Sequence, residues 1–266
     1  MNNYLTINEF SKRTGIEAST LRYWDSIGLF IPSIREEGTN YRYYAPEQVT
    51  DIKYISVMST LLIQRKDIAQ LEEKRSPELM LSVMEQQKKV IDQEVQSLLE
   101  MYLILKTRYD LIQEGCRIEE DQITVEELDA QRIWFGPEMD WTGFDSFFHP
   151  YSEFCHYMRE KGINLNYPTG GYHRTFAEYI ESPNAPNRFY LLHPKGEHLQ
   201  ETGRYLVGYA RGYYGENGDL PERMQQYIDN NHLNVTGPVY VIHLHDEICL
   251  SEPDTYLKKV IVKLAS

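Results

Sequence analysis

At 266 residues, with 41% apolar and 25% charged side chains, the sequence has the balance of a globular protein with room for two cores and excludes a disordered or fibrous chain. Taken as an average, its formal net charge of −13 argues against a nucleic-acid partner, since phosphate binding depends on Lys and Arg. The average conceals a division: residues 1–75 carry ten basic and ten acidic side chains, so the whole negative excess follows residue 75.

Along the chain, Thr6 is a cap for a short helix, Ile7 to Arg13, that stops at Gly15. Ser19 or Glu17 caps a second, Thr20 to Ile27, and the four-residue link between the two contains a glycine, which is the grammar of a helix-turn-helix. After Pro32 a polar stretch leads to Tyr41-Arg42-Tyr43-Tyr44, whose aromatics predict a short strand in a wing. Helices are expected over Pro46 to Met58 and Gln64 to Lys74. From Pro77 to Ile112 there is no Gly or Pro, and Met84, Lys88, Ile91, Val95, Leu98, Tyr102, Leu105, Tyr109 and Ile112 form a heptad seam. Such a helix is about 50 Å long, too long to cover its stripe on a small head, so a second copy of the chain is the expected partner; the alternative is a helix lying along its own carboxy-terminal domain.

Beyond Gly115, strand-like runs occupy Ile133 to Phe135, Gly171 to Ile180, Arg188 to Leu192, Arg204 to Tyr209, Pro238 to Leu244 and Tyr256 to Leu264. Helices are expected at Tyr151 to Lys161 and Leu220 to Asn231, giving an α+β domain with helices on one face of a sheet. Most of the 21 tyrosines lie beyond residue 140. Cys116, Cys155 and Cys249 are scattered and lack CxxC spacing, so reduced thiols are expected and neither a metal nor another cofactor is called for. No apolar run of about 18 residues occurs and the start lacks the regions of a signal peptide, so a cytoplasmic chain with no membrane contact is expected.

The ordered set Leu5-Thr6-Ile7-Asn8-Glu9-Phe10, Thr14-Gly15-Ile16, Thr20-Leu21-Arg22-Tyr23-Trp24-Asp25 and Asn40-Tyr41-Arg42-Tyr43-Tyr44 resembles the winged-helix head of MerR-type transcription regulators over roughly residues 4–75. The tail resembles the GyrI-like effector domain of multidrug-responsive members, through Gly203-Arg204-Tyr205, Gly237-Pro238-Val239-Tyr240-Val241-Ile242 and Asp254-Thr255-Tyr256 to Leu264. The resemblance implies a homodimer on an inverted repeat in promoter DNA that bends and untwists the duplex on effector binding and so realigns the sites read by RNA polymerase. Thr20, Arg22, Tyr23, Tyr41, Arg42 and Lys66 are the DNA-contacting residues it points to. On the residues alone, Arg22 could instead pair with Glu9 or Asp25, and Tyr41 or Tyr44 could be wing core. Leu21, Trp24, Ile27, Leu29 and Phe30 read as packing.

For the tail, the resemblance implies a pocket that stacks lipophilic aromatic ligands, often cations, among rings near an acid. It places Tyr151, Tyr172, Tyr209 and Tyr256 as pocket rings and Asp254 at the rim, with Trp141, Phe144, Phe147 and Phe148 as a wall or lid. Core packing is the other reading of each ring. Where relatives carry a strand carboxylate that anchors a cation, this chain has Val241; the ligand is then neutral or weakly cationic, or the charge comes from Asp254, Asp246, Glu247 or Glu178. His243 and His245 alternate on one strand face, a spacing compatible with metal but without a third ligand. Cys155-His156 are adjacent on a helix and do not face one another, and no other catalytic motif is evident, so an enzyme is not expected. The expected organisation is therefore 1–75 on DNA, 76–115 as a dimerisation coiled coil and 116–266 as effector domain. A drug-sequestering binding protein with an autoregulatory head is the alternative.

Overall fold

The structure is a computed structural model and describes residues 3–64, 67–68, 71, 76–118, 122–141 and 148–265. It forms two compact units, Met1–Ser97 and Leu98–Ser266, so the division falls inside the long helix rather than at either of its ends.

In the first unit, α1 (Ile7–Thr14) begins with a reciprocal cap: the Glu9 amide donates to Thr6 Oγ1, and the Thr6 amide donates to Glu9 Oε2 at 2.8 Å. It ends at Gly15, whose φ of 75° is a left-handed cap that favours glycine. The second helix, α2 (Ala18–Ser26), starts at Glu17, which makes no side-chain cap bond. A small antiparallel sheet, in the order β1-β3-β2, joins β1 (Leu5–Thr6), β2 (Ile34–Arg35) and β3 (Arg42–Tyr44), and α3 (Gln48–Thr60) follows. Residues three and four apart on α2, Leu21, Trp24 and Asp25, turn inward. Leu21 meets Phe10, Phe30, Tyr44 and Ile55 in one core, where each fully buried large side chain contributes roughly 1.5–3 kcal/mol. Tyr44 is core, its ring 4.5 Å from that of Phe10, whereas Ile27 is exposed at the helix end and packs less than its sequence position suggests. Most of the expected helix over 64–74 lies outside the described residues.

One unbroken helix, α4, runs over Pro77–Gly115. On it Leu98, Tyr102, Leu105 and Tyr109 are 59%, 59%, 64% and 58% exposed, an apolar stripe left open among the described residues. No helix among the described residues is long and apolar enough to cross a membrane.

The second unit is built on an eight-stranded antiparallel sheet, in the order β4-β9-β11-β10-β6-β7-β5-β8. The strands are β4 (Ile123–Leu128), β5 (Gln131–Phe135), β6 (Thr169–His173), β7 (Arg188–Leu192), β8 (His198–Gln200), β9 (Gly203–Arg211), β10 (Val235–His245) and β11 (Leu257–Leu264). Alternation assigns each side chain to a face. On one face Leu206, Val239, Val260 and Val262 pack under α6 (Phe176–Glu181) and α7 (Leu220–Asn231), while Phe189 and Leu191 pack under α5 (Phe148–Glu160). Gly208 permits this: a Cβ there would stand 2.8 Å from Leu220 Cδ1. On the other face Tyr190, Tyr205, Tyr209 and Tyr240 form a second core with Leu111 of α4. Lys259 Nζ donates to Glu114 Oε1 at 2.6 Å, and the His245 ring presses on Gly115, where a Cβ would come within 2.5 Å of its Nε2. These contacts fasten the end of α4 to β10 and β11. The expected strand over 171–180 is instead β6 followed by α6, because Thr175 accepts from the Glu178 amide at 3.1 Å and starts a helix.

Candidate functional site

The head presents the outer face of α2. Arg22 is exposed and has no ion-pair partner among the described residues, while Tyr23 is 44% exposed and Thr20 half-buried at the helix start. The carboxylate expected as a possible partner of Arg22 is engaged elsewhere. Asp25 is buried, accepts from Arg42 Nε at 2.6 Å and from Arg35 through its other oxygen, and so ties both wing strands to α2. Arg42 is thus first a clamp on the wing, with its side chain 25% exposed. Tyr41 is exposed at the wing, its ring 5.3 Å from that of Tyr43. Lys66 lies outside the described residues.

The second unit holds a cavity of about 480 Å³ on the helix-covered face of the sheet. Its size suits a small organic molecule. Val241 of β10 and Gly171, its cross-strand partner on β6, both line the cavity, and Pro186 packs directly over Gly171. The walls are aromatic. Phe148 and Tyr213 have centroids 5.9 Å apart, Tyr214 and Tyr256 5.8 Å, and Tyr151 and Phe189 5.5 Å. Flat faces at these separations attract rings and cations alike.

Polar groups stand at two ends. Near the mouth, Asp246 accepts from Arg108 of α4 at 3.1 Å, and Glu247 accepts from the Tyr214 hydroxyl. Burial and this carboxylate push the Tyr214 hydroxyl far above its ordinary value. Deeper in the wall are His173, His243 and Lys258. His243 and Lys258 are direct cross-strand partners. Burial, and then the Lys258 ammonium, hold His243 down at about 3, and burial holds His173 at about 4, so both imidazoles are neutral at pH 7. Burial lowers Lys258 to about 8, partly opposed by Glu216, which leaves it charged at pH 7.

Of the ligand residues expected from the sequence, Tyr151, Val241 and Tyr256 come together in this cavity. Tyr172 and Tyr209 do not, because alternation turns them to the opposite face: Tyr172 pairs with Tyr240, and both Tyr172 and Tyr209 belong to the core there. Trp141 stands behind the wall, donating from Nε1 to the Pro186 carbonyl at 2.9 Å. Asp254 sits exposed on the turn Pro253–Thr255 and does not line the cavity, whose acids are Asp246 and Glu247. Phe144 and Phe147 lie outside the described residues. The histidine pair separates, since a register shift between His243 and His245 leaves His245 Nε2 3.1 Å from the Ile112 carbonyl. Cys155 is half-buried with its thiol pushed up by burial, while the exposed His156 pairs with Glu160 at 3.3 Å. Sequence reasoning missed Arg108, His173, Tyr213, Tyr214 and Lys258. Lys258 left little trace, because its strand carries two further lysines, Lys259 and Lys263.

Residues 5–73 match the family of MerR HTH family regulatory proteins. The chain is 26% identical over 269 positions to the multidrug-efflux transporter 2 regulator of Bacillus subtilis strain 168, covering 98% of this chain and 96% of that one. It is 24% identical over 143 positions to the multidrug-efflux transporter 1 regulator of the same organism, covering 51% of each. Among solved structures, the EcmrR–DNA complex determined by cryo-electron microscopy is 17% identical, with a TM-score of 0.40 over 98% of this chain and all of that one.

Proposed function

We propose that the chain is a DNA-binding transcription regulator of the MerR family, a homodimer switched by a lipophilic aromatic compound bound in the second unit; the family match over residues 5–73 and the similarity to regulators of multidrug efflux support this. The aromatic cavity carries this reading: a DNA-binding head needs no such pocket, and a pocket of this size lined by rings is what a sensor requires. The exposed stripe on α4 pairs two chains, and the paired heads set Arg22, Tyr23 and Tyr41 on two half-sites of an inverted repeat. Thr20, Arg42 and Lys66 flank these contacts. Residues 1–75 then serve DNA, 76–115 pairing and 116–266 sensing.

The coupling we propose runs through α4. Arg108 lines the cavity from that helix, so a ligand that alters the Arg108–Asp246 pair acts directly on the element that continues into the first unit. Distorting a promoter costs on the order of 1–6 kcal/mol, and the roughly 1–3 kcal/mol typical of coupling between two ligands of one protein reaches the lower part of that range. Both Bacillus subtilis relatives are regulators of multidrug-efflux transporters by name, which supports a role of this kind for the chain. Replacing Tyr256 with Ala should abolish induction of a reporter behind the chain's own upstream region and leave basal DNA binding in a gel shift intact. Normal induction by that variant would contradict the reading.

A further inference from the structure

We infer that the cavity takes an aromatic carboxylate, its anionic group against Lys258 Nζ beside the His243 imidazole and its ring among Tyr213, Tyr214 and Tyr256. The inference rests on the reading of this cavity as the effector site.

Lys258 carries the argument. It is 1% exposed, and its ammonium donates to the Tyr213 carbonyl at 3.1 Å; the Glu216 carboxylate acts on it only beyond ion-pairing distance. Taking an ammonium out of water without a counter-charge in direct contact is costly, and an anion brought by a ligand would offset that cost. The neighbouring imidazole is also incomplete. His243 Nε2 is buried without a partner, and a neutral imidazole has one N–H to donate to a carboxylate. Two donor groups thus face each other across β10 and β11 in one wall of the cavity.

The opposite ligand charge finds less. Asp246 is held by Arg108, and Glu247 by the Tyr214 hydroxyl. Glu178 also has a buried oxygen without a partner, but it is not part of the cavity wall. A cation entering here would displace an existing partner at the mouth and face Lys258 within. An acid completes the groups that are waiting.

Titration calorimetry on the full chain at pH 7 with 2-naphthoate, 2-naphthamide and 2-naphthylmethylammonium tests this. The carboxylate should bind at least about tenfold more tightly than the other two, and Lys258→Gln should abolish that advantage over the amide. The comparison of probes on the unaltered chain stands even if Lys258→Gln fails to fold. Preference for the ammonium, or a carboxylate preference that survives in Lys258→Gln, would overturn the inference. If the ammonium binds best and is lost in Tyr256→Ala, the cavity remains the effector site and only its charge preference is refuted. Binding of none of the three would refute both.

Discussion

Replacing Asp25 with Asn should loosen the wing from α2 without changing the volume of the core. The carboxylate is fully buried and receives Arg42 Nε at 2.6 Å on one oxygen and Arg35 on the other. A hydrogen bond to a charged group contributes about 1.5–3 kcal/mol, and the amide retains at best a neutral version of each. The Arg42 and Arg35 side chains are 25% and 41% exposed, so water recovers part of the loss, and a net cost on the order of 2–3 kcal/mol follows. Amide hydrogen exchange in the full chain, resolved by mass spectrometry over residues 18–44, reads this locally. Exchange there should quicken roughly 30- to 150-fold at a tenfold change per 1.36 kcal/mol, and operator affinity should fall because Tyr41 and Arg42 lose their placement. An increase below about fivefold with unaltered DNA affinity would refute the view of Asp25 as the anchor of the wing.

Arg22→Ala should weaken operator binding by about 1–3 kcal/mol while leaving ligand binding to the second unit unchanged; equal loss of both in parallel titrations would contradict separate roles. Leu105→Glu places a charge in the exposed stripe of α4 and should turn a dimer into a monomer in sedimentation at micromolar concentration, whereas an unchanged sedimentation coefficient would exclude this stripe as the pairing surface. Burial lowers Lys258 from 10.5 to about 8, so between those values the unfolded chain binds more protons and stability rises with pH. The native chain should therefore gain on Lys258→Met, by up to on the order of 3 kcal/mol in urea unfolding of the second unit, as pH rises from 8 to 10.5. A gap that does not change with pH would mean the lysine is not buried as a cation.

The head was legible because its signals are local: Thr6 with Glu9, Gly15, and inward positions three and four apart on α2 all act within one or two turns. The long helix was legible for the same reason, as 39 residues without a breaker. The sheet domain was legible as strands but not as faces. Tyr172 and Tyr209 carry the same chemistry as Tyr151 and Tyr256, and only the register β6-β10-β11-β9 decides which rings meet ligand and which build core. The tyrosine surplus answers to both, with Tyr190, Tyr205, Tyr209 and Tyr240 buried away from the cavity. The run 171–180 looked like one strand because Phe176 and Tyr179 favour strands, yet the cap at Thr175 prevailed. Lys258 was hidden because its meaning depends on His243, its partner on the neighbouring strand.

A footprint and an in vitro transcription assay on one sample, at the chain's own upstream promoter, with and without 2-naphthoate, address the central claim directly. Transcription should rise with ligand while the protected region keeps its extent and occupancy, because the effector changes the shape of bound DNA. Loss of the footprint on adding the ligand, or flat transcription with the ligand demonstrably bound, would contradict the account.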